Sequence, residues 1–370
     1  MTTNDWSSLD ARNSIRARLG KAVTSGLARG VQWLAGLAVG AAAGYACSRM
    51  HTPIPWMLGP LTSIALLRVL GAPLEGPPGG RQIGQWIIGA ALGLYFSPQV
   101  VRDVAGSWEL LVAGTLFAMV SGYGGAVALA RLAGIDRTTA LFASVPAGAM
   151  EMALLGERFG ARADRVAAAQ SLRILVVVIV IPFAYTLLGA QGSDRYVPGT
   201  TAFDGAGFAV LMLATLAGAG VAVWLRVPNA FILGSLAVAI PLTAADVHLS
   251  AMPALVSNAG QCLLGCALGS RFRHDFLKGA PRFVGAVVTT VLVAIGAAAL
   301  FAGLLAWISG LSAYTLALGL APGGFAEMCI TAKALQLGVP LVTAFHVTRL
   351  VALLLLTAPL FGAVQRWRRR

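Results

Sequence analysis

The sequence predicts an all-α polytopic membrane protein of two inverted repeats, each with about five transmembrane helices plus a re-entrant hairpin, an architecture like that of secondary transporters. Composition, an internal duplication and the placement of basic residues predict it. The 370 residues are 58% hydrophobic and only 11% charged, with a mean hydropathy of +0.79. An ordinary soluble domain carries roughly 25% charged residues. Apolar runs of bilayer-crossing length recur along the chain.

The duplication centres on a short motif. Residues 146–152 and 322–328 both read P-x-G-x-x-E-M, so Pro146, Gly148 and Glu151 return as Pro322, Gly324 and Glu327 after 176 positions. Each copy sets a helix breaker, a glycine and a carboxylate inside an apolar run. An arginine follows each glutamate by 22 residues, Arg173 and Arg349. Ionisable residues at membrane depth are costly and mark a functional site by default.

Before the first apolar run stands a basic segment, 1–30, expected to be a cytoplasmic or interfacial arm rather than a cleavable signal, since no short apolar core with a small-residue cleavage site precedes the first span. The first membrane repeat, 31–190, holds six apolar segments at about 31–47, 53–70, 84–93, 108–130, 139–155 and 166–188. The second of these contains Pro53, Pro55 and Pro60, which predict an interrupted helix. A polar linker, 191–206, leads to the second repeat, 207–365, and a basic tail, 366–370. In the second repeat P-x-x-F-I-L-G at 228–234 answers P-x-x-W-M-L-G at 53–59, and G-Q-x-L-L-G-x-A-L-G at 260–269 answers G-Q-x-I-I-G-x-A-L-G at 84–93. His346 and Arg349 answer Gln170 and Arg173. Four motifs in one order at one spacing establish a tandem duplication.

The basic residues decide how often each half crosses. With the fifth segment of each half as a hairpin, 21 of the 27 Lys and Arg fall on the cytoplasmic side and 4 outside, leaving Arg173 and Arg349 in the membrane. If those segments cross fully, the division is 14 against 11. The positive-inside rule favours the hairpins. Five crossings per half invert the repeats and leave both termini in the cytoplasm, with a bacterial-type inner membrane as the expected location. The formal charge of +13 is thereby read as topology signal and contact with the lipid bilayer, and no nucleic-acid partner is expected.

Freed backbone groups beside Pro146 and Pro322 could bind an ion or a polar solute. The glutamates could carry a proton or a cation, and the arginines could hold a carboxylate bidentately. The alternative is that Glu151 pairs with Arg173 and Glu327 with Arg349 as structural locks. Gln85 and Gln261, in matching Gly-rich helices, and Gln170 and His346, beside the arginines, are further candidates for lining a cavity. His346 can titrate near neutral pH, which makes the second half the better candidate for proton coupling. Cys47, Cys262, Cys266 and Cys329 form no C-x-x-C pair and the four histidines no cluster, so no metal or cofactor is expected.

These stretches, from about 31 to 364, resemble the AbrB-type integral membrane family, whose hydrophobic unit occurs singly or duplicated. That family shares its name with an unrelated small soluble DNA-binding regulator. The resemblance implies a membrane-embedded fold and supplies no substrate and no site residue of established role. Members carry labels of an ammonia monooxygenase or a regulator of gene expression. Oxidising ammonia needs a redox metal, and the sequence lacks clustered ligands for one. The favoured expectation is a secondary transporter of a small, anionic organic solute coupled to H+ or Na+, not an enzyme. A membrane-embedded sensor is the alternative, and a homo-oligomer is left open. With impermeant thiol labelling of single cysteines at Arg158 and Gly310, the two positions should react from opposite sides of the membrane; equal labelling of both from outside would remove the inverted arrangement.

Overall fold

The computed structural model describes residues 29–190, 192, 202–272 and 281–368. All but the last two residues of the basic arm 1–30, most of the linker 191–206 and the end of the tail lie outside these residues. Within them the chain is helical with no strand, the all-α polytopic membrane fold expected.

Two series of helices follow one another. The first is α1 (Arg29–Arg49), α2 (Pro55–Val69), α3 (Gly80–Gly93), α4 (Pro98–Gly106), α5 (Trp108–Ala133), α6 (Arg137–Ser144), α7 (Ala149–Arg158) and α8 (Ala163–Leu187). The second is α9 (Gly205–Trp224), α10 (Ala230–Ala244), α11 (Ala254–Gly269), α12 (Pro281–Ser309), α13 (Ala313–Leu320), α14 (Phe325–Ala334) and α15 (Val339–Arg368). It repeats the order α1–α3 and α5–α8. The counterpart of α4 would fall largely within 273–280, outside the described residues.

Helices α1, α5, α8, α9 and α12 are long and apolar enough to cross a bilayer. Their outward faces suit lipid: Leu300 on α12 is 80% exposed, and Trp224 and Trp307, 79% and 84% exposed, sit near helix ends where indole rings favour the membrane–water boundary. By contrast α2, α3, α10 and α11 have 14 to 16 residues, about 21–24 Å of helix against a hydrocarbon core of about 30 Å. Four of the ten expected spans are therefore helices shorter than the hydrocarbon core is thick. The α4 helix was not legible as a span because it is a nine-residue amphipathic piece with Val100 as its buried residue. Its signal was Ser97-Pro98: the serine Oγ accepts from the Val100 N–H at 3.4 Å, and proline occupies the first turn, where its missing N–H costs nothing.

The halves are interleaved rather than set side by side. Helix α2 packs on α11 while α3 packs on α10, and α5 packs on α15 while α8 packs on α12; each pair becomes the other when the halves are exchanged. Matching elements also touch directly, α3 against α11 and α5 against α12. At the α3–α11 crossing two repeat-equivalent glycines meet: a Cβ on Gly84 would stand 2.7 Å from the Gly260 carbonyl oxygen and 2.7 Å from Leu264 Cγ. The glycines are there because the backbones approach too closely for any side chain. Where α2 begins, Ile54 is left-handed (φ 43°), and where α10 begins, Asn229 repeats the turn (φ 51°). Asparagine tolerates that conformation and β-branched isoleucine does not, so the packing around the first turn imposes it.

From these contacts, Gly84→Ala should lower stability by about 1–3 kcal/mol, the usual cost of overpacking. Gly296→Ala, on a face of α12 with nothing within 4 Å, should be neutral or stabilising by up to ~1 kcal/mol. Thermal unfolding of the detergent-solubilised variants measures both; equal loss in the two would show that the crossing is not a tight contact.

Candidate functional site

The P-x-G-x-x-E-M elements are breaks in the helical ladder. Helix α6 ends at Ser144 and α7 starts at Ala149; α13 ends at Leu320 and α14 starts at Phe325. Pro146 and Pro322 have no N–H to continue the preceding helix. The breaks leave carbonyl oxygens without helical partners at a depth where water is scarce, and each such group costs free energy unless it is bonded.

The arginines satisfy them. Arg349 donates from Nη1 to the Ala321 carbonyl (2.6 Å) and from Nη2 to the Gly323 carbonyl (2.9 Å). Arg173 does the same in the first half, from Nη1 to Val145 (3.2 Å) and Nη2 to Ala147 (3.5 Å). The acceptors are related by the same 176-residue shift as the arginines. Gln170 adds bonds from Nε2 to the carbonyls of Phe142 (2.8 Å) and Val145 (3.0 Å). His346 contacts the matching Leu318 carbonyl through Nε2 at 3.1 Å, and its Nδ1 lies 2.8 Å from Arg349 Nη2. A guanidinium only donates, so Nδ1 is the acceptor and Nε2 carries the hydrogen. This neutral tautomer is the one that fits both contacts. Protonation at Nδ1 would sever the link to Arg349.

The Glu–Arg locks weighed above are not formed. Among the described residues the ion pairs are Arg68–Glu75 and Arg162–Asp164. The glutamates instead stand in the first turns of α7 and α14. Each folds its carboxylate back over the glycine that precedes its helix, so that a Cβ on Gly148 or Gly324 would collide with Glu151 Oε2 or Glu327 Oε2. A carboxylate there complements the positive end of the helix.

Both breaks open on one cavity. Its walls include Pro146 and Gly148 from the first break, Gly324 and Glu327 from the second, and Arg173 and Arg349. Gln85 and His346 line it as well, and Pro322 joins Pro146 and Arg173 in an adjoining crevice between α5 and α12. Gln170 is fully buried behind the first break. Gln261 is not in this cavity; it lines a separate one with Ile54 and Trp56. Three residues that the sequence reading did not single out contribute. Arg81, on the first turn of α3, donates from Nη2 to Asn229 Oδ1 (3.1 Å), and Gln85 one turn on donates to the same oxygen (3.3 Å). Arg271 stands two residues beyond α11 and lines the cavity too. The loop charges had assigned Arg81 and Arg271 to topology; i, i+4 spacing of Arg81 and Gln85 on one helix face was the available signal.

The cavity wall thus carries four guanidinium groups, Arg81, Arg173, Arg271 and Arg349, against Glu327, with Glu151 folded over Gly148 at its edge. None of the four is in an ion pair among the described residues. Arg173 and Arg349 are 4% and 6% exposed, and in each the Nε–H lacks a hydrogen-bond partner among the described residues. The first turns of α7 and α14, each covered by its own glutamate carboxylate, stand at the same place.

Such a fold and cavity define a helical membrane protein with a buried, positively charged site between two matching halves. The family model described as "Transition state regulatory protein AbrB" matches residues 56–365, and the chain belongs to this AbrB family. "Uncharacterized protein YhjN" of Bacillus subtilis (strain 168) is 28% identical over 358 residues, covering 88% of this chain and 91% of that protein. "Putative regulator AbrB" of Escherichia coli (strain K12) is 22% identical over 309 residues, covering 83% of this chain and 88% of its own length.

Replacement of Arg349 by Met would leave two buried carbonyls unbonded, at about 1–3 kcal/mol each. Arg349→Met should therefore unfold at markedly lower temperature, and Arg349→Lys should recover only part of the loss because an ammonium lacks the planar fork. His346→Gln, which copies Gln170, should stay close to native stability. A thermal-shift series on the three variants tests this; an unstable His346→Gln would deny the equivalence of the two clamps.

Proposed function

We propose that the protein is a secondary transporter of a small organic anion, bound in the cavity between the two helix breaks. The observation that carries this reading is the pair of buried arginines with unpartnered Nε–H donors, facing a cavity shared with Arg81 and Arg271. Buried donors and buried positive charge both favour an acceptor that brings negative charge. A carboxylate answers both, and the first turns of α7 and α14 supply further N–H donors.

The two glutamates then compete with the solute for the same helix ends. Protonation of Glu327 would remove the charge that repels an incoming carboxylate, so proton and anion would move together. Inverted halves supply the second requirement of a carrier, two equivalent ways of closing around one site. The loop charges support that inversion, with both termini cytoplasmic and the chain in the inner membrane.

A regulatory role is the second reading, favoured by the name of the Escherichia coli relative. It shares the site and differs in having no flux.

Proteoliposome uptake of a panel of mono- and dicarboxylates, with an inward proton gradient, a sodium gradient or neither, separates the two. At least one anion should accumulate saturably. Arg271→Gln should reduce its uptake by about tenfold or more, the worth of one charge-assisted hydrogen bond, with little change in melting temperature because no carbonyl among the described residues depends on it. Glu327→Gln should keep exchange and lose stimulation by the proton gradient. Stabilisation by an anion without flux of any would replace the carrier with the regulator.

A further inference from the structure

A second cavity lies among α2, α3, α11 and α14. Its walls include Ile54 and Trp56 at the start of α2, Ile88 and Leu92 on α3, Gln261 on α11 and Lys333 on α14. Four of these are the repeat counterparts of residues lining the arginine cavity: Ile54 answers Asn229, Ile88 answers Leu264, Leu92 answers Leu268, and Gln261 answers Gln85. The crossed pairs α2/α11 and α3/α10 thus build one kind of pocket twice, with the halves exchanged.

Two further facts relate the pockets. Helix α14 reaches both: Phe325 to Glu327, at its start, line the arginine cavity, and Ile330, Lys333 and Ala334, at its end, line the second. Glu327 and Ile330, where the two linings come nearest on this helix, are three residues or about 4.5 Å apart along it, and Glu327 and Lys333 about 9 Å. The charge distribution then assigns the sides. In the topology expected from the charges, Arg81 at the start of α3 and Arg271 after α11 lie toward the cytoplasm and Lys333 at the end of α14 toward the outside, so pockets related by an inverting two-fold would open in opposite directions.

Their chemistry differs in degree. The second pocket has one ammonium, Lys333, seated 5.9 Å from the centre of the Tyr95 ring. Ser257, Asn258 and Gln261 add polar groups on one helix, and the rest of the wall is largely apolar. A single cation with amide and hydroxyl donors holds a carboxylate loosely, as an antechamber should, whereas four guanidinium groups hold it firmly. The counterparts of Ile330 and Lys333 in the first half, Leu154 and Glu157, line neither pocket. The arginine cavity therefore joins the helix breaks directly and the second pocket reaches them only along α14.

We infer that the second pocket is the external vestibule of the anion path, in which Lys333 recruits the solute's carboxylate before it passes along α14 to the arginine cavity. This rests on the anion-carrier reading, but its test does not need transport. Asn258→Cys and Ala334→Cys, made singly in the otherwise native chain, are labelled with impermeant methanethiosulfonates bearing a sulfonate or a trimethylammonium group. Spheroplasts expose the external face and inside-out vesicles the cytoplasmic face; the native chain is the baseline, and Ala149→Cys marks the arginine cavity. Both vestibule cysteines should react from outside, and Ala149→Cys from the cytoplasmic side. Adding Lys333→Gln should slow the sulfonate reagent by roughly tenfold relative to the trimethylammonium reagent, since a cation in a cleft focuses its field on arriving anions. Labelling of both vestibule cysteines from the cytoplasmic side, or a reagent ratio indifferent to Lys333, overturns the vestibule. External labelling with the expected ratio, alongside no flux of any carboxylate, would leave it standing and remove the carrier.

Discussion

The structure depends on a backbone constraint: carbonyl groups released at membrane depth must find donors. Two prolines interrupt helices that would otherwise satisfy themselves, and two arginines one helix away repair the damage with paired N–H groups. The repair fixes much else. The arginine must be an arginine, because its fork reaches two carbonyls two residues apart, Val145 and Ala147 or Ala321 and Gly323. It must be on the following long helix, because α8 and α15 pack against their own hairpins. With the fork spent on carbonyls, each Nε–H is left buried without a partner among the described residues, and each arginine still lines the cavity. The same side chain that satisfies the break's carbonyls thus also brings a charge to the cavity wall.

The two halves are not copies at this point. Gln170 uses one amide nitrogen for two carbonyls, whereas His346 donates to one and accepts from its own arginine. The second clamp is tighter, with bonds of 2.6 and 2.9 Å against 3.2 and 3.5 Å. His346 accepts from its arginine and so belongs to the clamp, whereas Glu327 stands apart from it in the first turn of α14.

The duplication was legible because its motifs are chemically distinctive, with P-x-G-x-x-E-M and the G-Q helix surviving at one spacing. The polytopic helical class was legible from hydropathy alone. The arginines' partners were not, because a sequence shows charges and hides carbonyls: Glu151 and Arg173 invite pairing on paper, and nothing in the letters says that Val145 and Ala147 have lost their helical donors. Gln85 and Gln261 looked equivalent, yet they line different cavities. Arg81 and Arg271 were absorbed into a count of loop charges, where a residue facing a cavity and one facing a lipid headgroup look alike. The short α4 escaped because three valines in nine residues give no span.

The interleaving of the halves bears on how the chain is made. Helix α2 completes itself against α11, with Met57 of one offering its carbonyl to the groove left by Gly265 of the other. About two hundred residues separate them, which at translation rates of roughly 5–20 residues per second is a wait of about 10–40 s. During that time a helix of fifteen residues, carrying Pro60 and a face shaped for a partner not yet synthesised, must stay in or beside the bilayer without settling on another neighbour. Neither half is a folding unit, then, although each is a unit of descent. The ancestral single unit would have met the same need in a second copy of itself, and joining the two copies in one chain exchanged a search between molecules for a delay within one.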